Sequence, residues 1–174
     1  MVLVRLFVLS LTFAFPGCST ASRLPPEPSG EPVLTTSPVS TAVNRYFHYR
    51  RLAIVARDAE ILWVRYPDLR SGEDLTAGIN NEGWLATRSD TARSLADIVY
   101  DLDRYERMRM RATAEDVIIV RVHGLERYIQ ADFSDGTAGE FILDLHLRRV
   151  LGEWTVVKTD AMTLSEYHDA MTRR

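Results

Sequence analysis

Four side chains in this sequence have the chemistry for proton transfer: Asp58, Asp144, His146 and Tyr66. A carboxyl group acts as a general acid or base near neutral pH when apolar surroundings raise its pKa. The neighbouring residues argue against such surroundings. Asp144 and His146 alternate with Phe141, Leu143, Leu145 and Leu147, so in a strand these two face solvent if the leucines face a core. Asp58 follows Arg57 and precedes Leu62 by four residues, which suits a charge at a helix edge. Tyr66 and Trp63 share an apolar stripe and are core residues unless a cavity opens beside them.

Other chemistries lack their residues. His48, His123, His146 and His168 are scattered without metal-ligand spacing, and no His-Glu-x-x-His motif exists, so no metal and no cofactor are expected. Lys158 is the only lysine, which removes almost every candidate for Schiff-base chemistry. There is neither a glycine-rich phosphate loop nor a Gly-x-Ser-x-Gly elbow. The formal charge of −3 argues against a nucleic-acid partner, which would favour a basic surface. Arg107, Arg109 and Arg111 form one positive stripe, read as a solvated sheet exterior paired with acidic neighbours.

The elements that hold these residues follow from periodicity. Ala42–Tyr66 contains no Gly or Pro, and Leu52, Val55, Ala56, Ala59, Leu62, Trp63 and Tyr66 recur at steps of three and four. That pattern predicts one long helix, capped by Ser40 or Thr41 and stopped by Pro67. Asp68–Gly72 reads as a turn and Glu73–Glu82 as a loop or a single helical turn, while Leu95, Ile98, Val99 and Leu102 predict a shorter helix over Asp90–Leu102. The period then falls to two. Strands are predicted over Tyr105–Ala112, from Val117 through a bulge at Gly124 towards Ile129, over Phe141–Arg148 and over Trp154–Asp160, with a hairpin turn at Ser134-Asp135-Gly136. Leu164–Met171 reads as a terminal helical turn. The predicted class is α+β: a long helix and a shorter one packed on a strongly bent antiparallel sheet of about four strands.

Ahead of this single domain, residues 41–174, lie two further segments. Residues 1–17 carry Arg5, an apolar run from Leu6 to Phe15 and a small residue, Gly17, the pattern of a secretory signal. The run is shorter than the ~20 residues that span a bilayer. Cys18, the only cysteine, follows Gly17, and here the segment resembles a bacterial lipoprotein signal. The resemblance implies acylation (palmitate among the acyl groups) of Cys18 and anchoring to the extracytoplasmic face of a bacterial membrane, inner or outer, with Ser19 compatible with outer-membrane sorting. Residues 18–40, with Pro25, Pro26, Pro28, Pro32 and Pro38 among Ser, Thr, Gly and Glu, read as a flexible tether.

The order of elements, the Arg57–Asp68 segment and the closing Gly152-Glu153-Trp154-Thr155-Val156-Val157 resemble the nuclear transport factor 2-like superfamily, with a cystatin-like arrangement as the nearest structural rival. That resemblance implies a cone-shaped fold with a pocket between helix and sheet, lined here by Trp63, Tyr66 and Phe141. It also implies either enzymes of the isomerase or dehydratase kind or non-catalytic binding proteins, and a fold alone does not select between them. Export on a tether and the lack of a visible acid–base pair favour a module that holds an envelope protein or a small apolar ligand. The alternatives are an isomerase or dehydratase with a buried acid–base pair, and a structural homodimer formed through the sheet.

Overall fold

The computed structural model describes residues 37–88, 95–102, 109–113, 116–131 and 137–172. Helix α1 (Pro38–Ala56) begins earlier than the periodicity suggests, because Ser37 is the cap: its Oγ accepts from the Ser40 amide at 3.1 Å, and Pro38 supplies a preset first turn. The helix buries Val39, Ala42, Val43, Tyr46, Phe47, Arg50, Ala53 and Ile54, spaced at three and four residues. It ends eleven residues before Pro67. Arg57 adopts a left-handed conformation (φ 56°), its amide bonds to the Ile54 carbonyl at 3.1 Å, and the Asp58 amide bonds to that of Ala53 at 2.9 Å. The chain then turns into α2 (Glu60–Trp63) and a 3-10 turn (Pro67–Arg70). The expected single helix over Ala42–Tyr66 is therefore two, and Leu52, expected on the buried stripe, is 37% exposed.

The expected class is observed: the described residues form four α-helices and one antiparallel five-stranded sheet. Strands β1 (Leu95–Asp101), β3 (Val117–Gln130), β4 (Thr137–Val150) and β5 (Glu153–Met162) lie in that order, and the short β2 (Arg109–Ala112) pairs with the first half of β3. Strand β1 replaces most of the helix expected over Asp90–Leu102. Leu95, Ile98, Val99 and Leu102 fit a helical period, yet pairing of Ile98 with Tyr128 and Tyr100 with Glu126 decides for a strand. Strand β3 runs through Gly124 with continuous register against β4, so the expected bulge there is absent. Gly124 is instead a point of close approach, since a Cβ there would sit 2.7 Å from the Asp101 carbonyl oxygen. The strand expected over Tyr105–Ala112 is described only from Arg109, and the Ser134–Gly136 turn lies outside the described residues.

One sheet face, with Ile118, Val120, Val122, Leu143, Leu145, Leu147 and Val156, packs against α1 and forms the main core. Each of these fully buried aliphatic side chains contributes roughly 1.5–3 kcal/mol relative to exposure. The opposite face carries Arg111, Ile119, Arg121, His123, Ile142, Asp144, His146, Lys158, Asp160 and Met162. Helix α4 (Leu164–Thr172) follows β5 and lays the buried Tyr167 against Ile142 and Met162. The connector before α3 (Glu82–Thr87) docks on the edge of β5: the Ala161 amide bonds to the Gly78 carbonyl at 2.9 Å and the Asn80 amide to that of Thr159 at 3.2 Å. That docking carries Glu82 inward. Among the described residues no helix is long and apolar enough to cross a membrane.

Candidate functional site

The proton-transfer candidates do not converge. Asp58 is exposed in the turn after α1, where its Oδ1 accepts from the Glu60 amide at 3.0 Å in an Asx turn. Asp144 lies on the sheet face away from α1, as the alternation requires, but it is 0% exposed rather than solvated. Strand β3 supplies the reason. Arg121, 1% exposed, is its register partner and donates from Nε at 2.7 Å and Nη2 at 2.8 Å to the two carboxylate oxygens. Both oxygens of Asp144 are engaged by the guanidinium, which leaves neither turned towards an open site.

His146 is half-buried on the same face, beside Ile119 and Lys158. Burial, with the nearby Lys158 charge, pushes its pKa down to about 4, so the ring is neutral at pH 7. Asp160, register partner of Asp144, has its pKa raised, first by burial. The guanidinium of Arg121 also lies 6.0 Å from the Tyr167 ring centre, so α4 roofs this ion pair.

The expected pocket residues are packing residues. Tyr66 is buried edge-on to Tyr46 (5.8 Å) and Tyr49 (6.2 Å), and Phe141 packs against Phe47 (5.5 Å) and Tyr100 (5.9 Å). Trp63 bridges the two parts of the core and lies so close to Gly83 that a Cβ there would be 2.7 Å from the indole ring. These rings fill the space between α1 and the sheet. Cys18 lies outside the described residues.

A polar network that the sequence did not reveal runs through this interior. The Tyr46 hydroxyl donates to Glu82 Oε1 at 2.5 Å and the Thr159 hydroxyl to the same oxygen at 2.6 Å. Asn80 accepts from the Thr159 amide at 2.9 Å and donates to the Ser71 carbonyl at 2.7 Å. Next to it Arg50 bonds to the Tyr100 hydroxyl and to Glu126 at 3.4 Å, and the Tyr128 hydroxyl donates to Glu126. Burial, reinforced by the Glu82 charge, holds the Tyr46 phenol well above its ordinary pKa, and burial pushes Tyr100 up to about 12. These phenols remain donors at any physiological pH.

Glu82 Oε2 has no hydrogen-bond partner among the described residues, and Glu82 is 2% exposed. In chemical terms Glu82 Oε2 is a free acceptor inside the network, able to bond a buried water. Structurally the network ties α1, the connector and β5 together. Arg50 could have been suspected from its place on the buried stripe, and Arg121 from its position inside the β-branched run Val117–Val122. Glu82 offered no signal in its polar, glycine-broken segment.

Open surface lies elsewhere. One cleft of about 370 Å³ runs between α1 and β1, bounded by Phe47, His48, Arg51, Asp97, Val99 and Leu102. Two more, of about 270 and 470 Å³, flank the β4–β5 hairpin. None of the three is lined by Glu82, Asp144 or His146. Among the described residues no three His, Cys, Asp or Glu side chains gather in a way that could hold a metal ion. No protein-family model and no curated protein matches the chain.

Proposed function

We propose that this protein is a membrane-tethered extracytoplasmic binding module, a nuclear transport factor 2-like domain carried on a lipidated Cys18, which holds an apolar segment of an envelope protein. The observation that carries the reading is the filled interior: Tyr46, Phe47, Tyr66 and Phe141 occupy the place between helix and sheet where a substrate pocket would be. A ligand then has to be held on the outside. The α1–β1 cleft suits this role, because the apolar side chains of Phe47, Val99 and Leu102 line it and the Arg51–Asp97 ion pair (2.5 and 2.7 Å) braces its wall. Strand β1 is also the end of the sheet order, and an extended peptide can add along such an edge.

The test is photo-crosslinking in the native envelope from a reactive residue placed at Val99, with one at Leu164 on α4 as a control. The reading expects one dominant adduct from position 99, lost when His48→Asp puts an acidic group in the cleft. Equal labelling from both positions contradicts it.

An isomerase or dehydratase reading draws on one observation, the carboxylate of Glu82 between two hydroxyl donors. It would use Glu82 rather than Asp58, Asp144 or His146. A dimer through the sheet, the remaining alternative, would have to use the row Arg111, Ile119, His146 and Lys158, since α4 lies over the neighbouring part of that face.

A further inference from the structure

The tip of the β4–β5 hairpin carries a residue that folding does not explain. Leu151 and Gly152 form its two-residue turn, with φ of 52° and 87°, and positive φ at both positions favours Asn and Gly. A leucine there holds a disfavoured backbone conformation, and here it is fully exposed, so it recovers nothing by burial. Val150 beside it is also exposed.

Around this apolar tip stand four arginines, Arg45, Arg65, Arg148 and Arg149. Two carboxylates partner them: Glu153 is shared by Arg45 (2.9 Å) and Arg65 (3.4 Å), and Asp68 pairs with Arg148 at 2.9 Å. The guanidinium of Arg149 stacks 5.1 Å from the Trp154 ring centre. The patch is therefore net positive and capped by a bare leucine. The cleft beneath it is lined by Pro38 as well as Glu153 and Trp154, so the chain enters α1 on this same end of the domain.

Resting on the tethered reading above, we propose that the β4–β5 tip is a membrane-docking wedge: Leu151 and Val150 enter the headgroup layer of a bilayer, and the four arginines engage the phosphates of anionic phospholipids. Apolar tip, basic collar and adjacent aromatic ring match what an interfacial anchor needs. The tip and its arginines hold the bilayer by themselves, and a tether ending beside them adds to that affinity by raising their effective concentration there. Each arginine near an anionic surface strengthens association about fivefold. Docking would fix the orientation of the domain and turn the α1–β1 cleft to a set height above the bilayer.

The test uses the full chain with Cys18→Ser, so that a cysteine introduced as Leu151→Cys carries the only nitroxide label. Vesicles of phosphatidylcholine with about one third phosphatidylglycerol are compared with phosphatidylcholine alone. Accessibility to oxygen against a water-soluble nickel complex should place the label below the phosphates on the mixed vesicles. A label introduced as Leu164→Cys should stay in water. Adding Arg148→Gln and Arg149→Gln should weaken partitioning onto the mixed vesicles about 25-fold, with the circular dichroism unchanged.

A label that stays in water on vesicle-bound chain, a chain that ignores the mixed vesicles altogether, or insertion indifferent to both arginines overturns the proposal. So does a tip that is shielded only after an envelope protein extract is added, which would mark a protein contact. Mass spectrometry of wild-type Cys18 from a bacterial envelope separates the two levels. An unmodified thiol with an inserted tip removes the tether and leaves the wedge; an acylated Cys18 with a tip in water does the reverse.

Discussion

Replacing one partner of the Arg121–Asp144 pair should destabilise the domain far more than replacing both. The two side chains are each 1% exposed and joined by two hydrogen bonds of 2.7 and 2.8 Å. Asp144→Leu leaves a buried guanidinium uncompensated, and Arg121→Met leaves a buried carboxylate; either change should lower stability by about 3–5 kcal/mol. For a domain whose total stability is ~5–15 kcal/mol, that is a large share. With a urea slope of about 2 kcal/mol per molar, the unfolding midpoint falls by roughly 1.5–2.5 M. The double variant removes both charges, and a methionine keeps the contact under Tyr167, so its midpoint should return to within about 0.5 M of the parent. Urea unfolding of the four chains, followed by circular dichroism, gives the comparison. Single variants within about 0.5 M of the parent, or a double variant as low as the sum of the singles, would refute the view that this pair is a buried structural clamp.

Acid titration should expose His146. Its folded pKa of about 4 lies below the ordinary 6.5, so between these values the unfolded chain takes up a proton that the folded chain refuses, and stability falls as pH drops through that window. His146→Gln should flatten this slope in urea midpoints measured from pH 7 to 4; an unchanged slope would mean that the ring is not buried neutral. Asp160, whose folded pKa is raised, works the other way, retaining stability at low pH that is lost as the carboxyl ionises. Gly78→Ala should lower stability by more than about 2 kcal/mol, because φ is +71° and the new Cβ would sit 2.5 Å from the Ala161 carbonyl oxygen; an unshifted melting curve would show that the connector is not docked on β5. Glu82→Ala should cost about 2–3 kcal/mol by leaving the Tyr46 and Thr159 hydroxyls without their shared acceptor, and thermal unfolding by calorimetry reads the loss.

Much of the fold could be read from single residues, and the failures have identifiable causes. The alternation of Phe141, Leu143, Leu145 and Leu147 with polar neighbours placed β4 and its faces correctly. It could not show that Asp144 is buried, because that depends on Arg121 from another strand and on the roof formed by α4. The end of α1 has no glycine to mark it in the sequence, because Arg57 takes the left-handed position. Strand β1 carries a helical signal in its sequence because four apolar residues at 95, 98, 99 and 102 satisfy the helical period, and long-range pairing with β3 overrides that local preference. The Glu82 network was illegible for a related reason: the connector that delivers it is ordered by bonds to β5, about eighty residues away.

The most direct measurement of the tethered-module account is the mass of the N-terminal peptide of the chain recovered from a bacterial envelope, with Cys18→Ala in parallel. The account expects a chain that begins at an acylated Cys18 and fractionates with membranes, and an alanine variant that is uncleaved or released. A processed alanine variant that still fractionates with membranes, or a wild-type chain with a free thiol at Cys18, would contradict it.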